Sequence, residues 1–124
     1  MKNLLLKTLL TVTLASCSLF SPTLFAADEN IDITPDQQIT HEELAAIYVL
    51  SEVCPPLVKD PSEFKKGYDK LVKEYLPSQK EAAQALDQLA QQSSFSSVLK
   101  EARTDAQTAG DASNQAICDE LMTY

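Results

Sequence analysis

The run from Leu44 to Cys54 constrains this chain more than any other stretch. Thr40-His41-Glu42-Glu43 stands ahead of it, the pattern of a capping box in which a threonine hydroxyl and a glutamate carboxylate serve each other's backbone N–H groups. Pro55-Pro56 follows it, and two prolines cannot continue a helix. At about 3.6 residues per turn, Leu44, Ala45, Ala46, Ile47, Tyr48, Val49, Leu50 and Val53 point in nearly every direction. A helix that is apolar all round must be enclosed by other elements. A half-buried strand would alternate, which this run does not, and a fully buried strand would not carry the capping box. The expectation is a buried central helix, Leu44–Val53 the most buried of the chain, with the rest of the domain wrapped around it.

The segments downstream supply the wrapping. Asp60-Pro61-Ser62-Glu63 opens a second helix, with Asp60 as cap and Pro61 at the first helical position. Phe64, Tyr68, Leu71 and Tyr75 form its apolar stripe, flanked by Val72 and Leu76. Lys65–Asp69, Asp69–Lys73 and Lys70–Glu74 are spaced for ion pairs on the opposite face. Gly67 costs this helix about 1 kcal/mol relative to alanine and marks a close crossing by another helix. Pro77 ends the helix, and Ser78-Gln79-Lys80-Glu81 reads as a capping box opening the third, whose face is Ala82, Ala85, Leu86, Leu89 and Ala90. After a weak break at Gln91–Ser94, Ser94 caps a fourth helix carrying Phe95, Val98, Leu99, Ala102 and Ala106, with Gly110 as its terminator. Asp111 caps a fifth, with Ile117, Leu121 and Tyr124 on its apolar side, expected to pack on the central helix, and Cys118 beside them. The fold class predicted is all-α: a small disulfide-stapled bundle of about five helices over residues 40–124.

Upstream, Lys2 and Lys7 precede an apolar run from Thr8 to about Phe20, the layout of a secretory signal peptide and too short for a stable membrane span. Small residues place cleavage after Ala26, with Ala27 as the alternative, so residues 1–26 are the leader. Residues 27–39, acidic and interrupted by Pro35, read as a flexible arm, with Ile31 and Ile33 spaced for at most a short extended piece. Leu14-Ala15-Ser16-Cys17 resembles the lipobox of bacterial lipoproteins. That resemblance implies acylation at Cys17 and an outer-membrane anchor, and it stands as the alternative to simple export into the periplasm.

Both routes deliver the domain to an oxidising compartment, where Cys54 and Cys118 are the two cysteines left. Their separation of 64 residues makes a disulfide between them worth about 4 kcal/mol in a chain-entropy treatment. For one domain of roughly 100 residues that is a large contribution. There is no C-x-x-C spacing and no thioredoxin-like pattern, so the pair is structural rather than redox-active. Loss of Lys2 and Lys7 makes the formal charge of −8 more negative by two. That sign argues against nucleic acid and anionic membrane surfaces as partners.

No stretch carries recognisable catalytic, metal or nucleotide chemistry. His41, the single histidine, sits beside Glu42 and Glu43, but adjacent helical positions fan out and do not converge on one ion. Nothing places a serine against His41, and the pairs Glu42-Glu43 and Asp119-Glu120 diverge likewise. Tyr48, Tyr68 and Tyr75 fall on apolar stripes and read as core edge. Lys59 and Lys80 with the lysines of the second helix are the only basic concentration, a solvated face or, more sharply, a docking patch for an acidic ligand. The expected function is a non-enzymatic envelope protein without cofactor or metal that binds another envelope protein, such as an inhibitor, immunity protein or small chaperone. The alternative is a ligand-binding or enzymatic domain with an interhelical pocket.

Overall fold

Residues 39–124, those described in the computed structural model, form five α-helices, and no strand occurs among the described residues. They are α1 (His41–Val53), α2 (Pro61–Tyr75), α3 (Ala82–Ala90), α4 (Ser96–Ala109) and α5 (Asp111–Leu121), with one 3-10 turn, Ser93–Phe95, leading into α4. The leader, Cys17, the cleavage positions Ala26 and Ala27, and the acidic arm up to residue 38 lie outside the described residues.

The first two helices start as their side chains dictate. Thr40 Oγ1 accepts the Glu43 N–H at 3.2 Å, and the Thr40 N–H donates to Glu43 Oε2 at 2.8 Å, so both halves of the capping box form. Asp60 Oδ1 accepts from the Ser62 and Glu63 N–H groups at 3.0 and 3.1 Å, with Pro61 just inside the helix. The third start differs from expectation. Ser78 caps nothing, because residues 77–80 are held as a turn: Lys73 Nζ donates to the Pro77 and Gln79 carbonyls, and the Gln79 N–H donates to Leu76. The α3 N-cap is Glu81, without a side-chain cap bond. Ser94 does not cap α4 either; it lies inside the 3-10 turn whose last residue, Phe95, is fully buried, and that burial keeps the turn tight. Helices α3 and α4 are therefore separate. Gly110, at φ +82°, ψ 165°, both ends α4 and caps α5, in a region that a side chain strongly disfavours. Asp111 is thus the first residue of α5 rather than its cap.

Helix α1 runs through the middle, packed chiefly on α4 and also touching α3 and α2. Leu44, Ala45, Ile47 and Val49 are buried, Tyr48, Leu50 and Val53 half-buried, and Ala46 alone of the apolar run is exposed. The helix is enclosed on three sides. The largest fully buried side chains, Phe95, Leu44, Leu86 and Val72, come from four different segments. Each contributes roughly 2 kcal/mol by removal from water.

Helix α5 corrects the expected register. Its buried stripe is Asn114–Cys118–Leu121, whereas Ile117 and Tyr124 remain 47% and 46% exposed. It packs on α2 and α4 rather than laying an apolar stripe on α1. The crossing with α2 is close at Gly67: a Cβ there would overlap the Leu121 carbonyl oxygen and stand 3.3 Å from Tyr124 Cβ.

Candidate functional site

The features that stand apart from ordinary packing gather around α5. Cys54, which ends α1, and Cys118, in the middle of α5, are both fully buried, with their sulfurs at disulfide-bonding distance and their Cα atoms 5.3 Å apart. That spacing lies within the range that disulfides span. The link ties α5 to α1, two helices that otherwise share few contacts.

Beside this link lies a groove of about 340 Å³, lined by Val53, Pro56, Leu57, Ala106, Gln107, Asp111 and Asn114. It collects the end of α1, the knuckle after it, the end of α4 and the start of α5. Gly110 makes it possible by turning the chain sharply between Gln107 and Asp111. Asn114 is only 7% exposed, and its Nδ2 donates to the Ala106 carbonyl at 2.9 Å. The amide is thereby oriented, and its Oδ1 is not a buried atom left without a partner. Burial of a polar side chain in this position is sustained by that one bond and by the groove itself.

Ile117 on α5 and Tyr124, three residues beyond its end, are the two large hydrophobic side chains left exposed among the described residues. Tyr124 is nevertheless held in place. Its hydroxyl donates to Glu74 Oε2 at 2.5 Å, and Lys70 Nζ donates to its main-chain oxygen at 2.9 Å. The bond to Glu74 raises the phenol pKa above its ordinary value. Lys70 and Glu74, spaced for an ion pair with each other, are engaged by Tyr124 instead. Lys65–Asp69 does form, at 2.6 Å, while Lys73 is taken up by the turn after α2.

Other residues singled out in the sequence fall elsewhere. His41 packs edge-on against Phe95, with ring centroids 5.6 Å apart, a contact that α1 reading alone could not reveal. Among the described residues, no group of three His, Cys, Asp or Glu side chains is placed to hold a metal ion, and no helix is long and apolar enough to cross a membrane. Tyr48 and Tyr75 are half-buried against the core and Tyr68 is buried within it. None of the three lines the groove beside the disulfide or the cleft of about 470 Å³ between α2 and α3. That cleft does gather Lys65, Lys73 and Lys80, but Asp69, Glu81 and Asp87 line it too, so its formal charge balances.

Tyr68 has one unusual property: its hydroxyl is buried without a hydrogen-bond partner. Burial pushes its pKa well up. The Ser51 hydroxyl lies near enough to oppose that rise, yet it donates to the Tyr48 carbonyl at 2.6 Å and makes no formed bond to the phenol. Across the helix, Arg103 bridges α4 to α1 through Glu52 with two bonds, at 2.8 and 2.5 Å, which lower the Glu52 pKa.

Sequence reasoning missed the groove because its polar anchor, Asn114, looks like a surface residue in a helical wheel. The one available signal was Gly110, which demanded a sharp α4–α5 turn. No curated protein and no solved structure matches the chain. A family model described as a domain of unknown function, DUF7944, matches residues 40–121. The matched span begins at the Thr40 cap and ends with the last residue of α5, taking in every helix of the bundle, and the chain belongs to the DUF7944 family.

Proposed function

We propose that this is an exported protein of the bacterial envelope that acts by binding another protein, in the manner of an inhibitor, an immunity protein or a small chaperone, and performs no catalytic step of its own. The observation that carries the reading is Tyr124, an exposed aromatic side chain just beyond α5 that is held at its main-chain oxygen by Lys70 and at its hydroxyl by Glu74. Ile117, on α5, is the other large hydrophobic side chain left exposed among the described residues. An aromatic ring pinned at a surface loses little entropy on binding, which is the property of interface anchor residues. Export is supported by the apolar leader and by the buried Cys54–Cys118 pair, which suits an oxidising compartment.

A photo-crosslinking side chain at position 117, introduced in living cells, tests the interaction. One defined protein adduct is expected, and it disappears when Tyr124→Ala is added. Absence of any adduct, or a small molecule retained by natively purified protein, would favour a ligand-binding role instead. The intact mass of the exported product decides the route. A chain starting at Ala27 and released by osmotic shock fits periplasmic export; one starting at Cys17 with acyl mass shows the lipoprotein route.

A further inference from the structure

We infer that the groove between the C-terminal ends of α1 and α4 and the first turn of α5 receives an arginine side chain of a partner protein, presented between apolar neighbours. The inference rests on the protein-binding reading above and adds the chemistry of what is bound.

The walls suit the side chain's stem. Val53, Pro56, Leu57 and Ala106 give apolar surface for methylene groups, while the charged head of such a residue seeks polar atoms at the end. At about 340 Å³ the groove is at the small end of ligand clefts, matched to one long side chain rather than a whole ligand.

The polar lining is Gln107, Asp111 and Asn114: one carboxylate and two amides, with no cationic group among them. Asn114 is more than nine-tenths buried and its Nδ2 is committed to the Ala106 carbonyl. Its Oδ1, which is not a buried atom left without a partner, is the atom of this amide that can accept from a ligand in place of water. Asp111 contributes a carboxylate. Two helices, α1 and α4, also end here, and neither has a basic residue in its last turn. The negative ends of their dipoles are therefore uncompensated by their own side chains. Pro55 and Pro56 accentuate this at α1, because they lack the N–H groups that would have bonded the Ser51 and Glu52 carbonyls. The N-terminal end of α5, which has no side-chain cap bond, opposes them, so the carboxylate of Asp111, its first residue, is the one formal charge of the groove lining and sets its sign.

No lysine or arginine is among the residues that line the groove. Beyond Arg103 the sequence has Asp105, Asp111, Asp119 and Glu120 but no lysine or arginine. Arg103, one turn before Ala106, is engaged twice by Glu52. Acceptors of different kinds set around one groove favour a guanidinium, with its planar fan of donors, over an ammonium. The disulfide and the Gly110 turn hold both walls in place before binding, which limits the ordering cost.

The test is a titration of the processed chain, isotope-labelled and with its disulfide intact, followed by amide NMR. The probes are capped Leu-Arg-Leu, Leu-Lys-Leu, Leu-citrulline-Leu and Leu-Glu-Leu peptides. Saturable shifts of the Asn114 side-chain amide and the Gly110 amide are expected with the arginine peptide, weaker ones with lysine, and none with citrulline or glutamate. Asp111→Asn, an exposed change that leaves the fold intact, is expected to weaken the arginine peptide by about threefold, and added salt to weaken it further. Equal shifts from the glutamate peptide, shifts confined to the lysine-lined cleft between α2 and α3, or no saturation would overturn the inference. So would shifts that follow protein concentration, the mark of self-association. These outcomes separate from those at position 117. A crosslinked partner without arginine binding removes the groove inference alone, and arginine binding without any adduct upholds the groove while removing the Ile117–Tyr124 surface.

Discussion

A buried phenol without a hydrogen-bond partner costs a folded protein more than a phenylalanine in the same place. Tyr68→Phe is therefore expected to leave stability unchanged or raise it by about 1 kcal/mol, read from urea denaturation. A pH dependence accompanies it. Burial raises the Tyr68 pKa above its ordinary 10.0, so at higher pH the unfolded chain gives up this proton while the folded chain keeps it. Stability must then fall as pH rises past the ordinary tyrosine value. The wild-type denaturation midpoint should drop on that alkaline limb, and Tyr68→Phe should flatten the drop. Equal slopes in both proteins would mean that the hydroxyl is satisfied in solution, with Ser51 as the nearby candidate.

At the scale of the helices, Gly67 separates propensity from packing. Alanine is the better helix former by about 1 kcal/mol, so an unhindered Gly67→Ala would stabilise α2. The Leu121 carbonyl occupies the space its Cβ needs. The expected result is a loss of about 1–3 kcal/mol, measured by thermal or urea unfolding, and a gain would show that α5 does not cross there. The close crossing was legible in the sequence, as were the helix count, the Thr40 and Asp60 caps and the cysteine pairing. What stayed hidden has a common cause. Ser78 and Ser94 had the right neighbours for caps, but Lys73 and the burial of Phe95 decided those turns from elsewhere. On α5 two stripes share Leu121, and hydrophobicity favours the one through Ile117. The bundle buries the other, in which Cys118 is linked to Cys54 and Asn114 donates to the Ala106 carbonyl across the Gly110 turn. The pairing of Lys70 with Glu74 likewise gave way to Tyr124, fifty residues on.

For the molecule as a whole, the covalent link between α1 and α5 matters most because α5 has little else joining it to the central helix. Thiol titration of the unreduced, denatured protein should find no free thiol at Cys54 or Cys118. Reduction should lower the melting temperature by about 10 °C or more, taking roughly 4 kcal/mol for the loop closed. Because both sulfurs are fully buried, reductant should act only as α5 detaches, so the reduction rate reports the opening of that helix. Two free thiols, or an unchanged melting temperature after reduction, would remove the staple.

The same link encloses everything from Pro55 to Ile117, including the exposed turn at Lys80 between α2 and α3. A protease that cuts once after Lys80 therefore divides the chain without releasing a piece. Intact mass should record the addition of a single water, and two fragments should separate only once reductant is added. Damage of that kind leaves the two halves tethered, so a nicked molecule in a protease-rich compartment retains a covalent route back to its own fold.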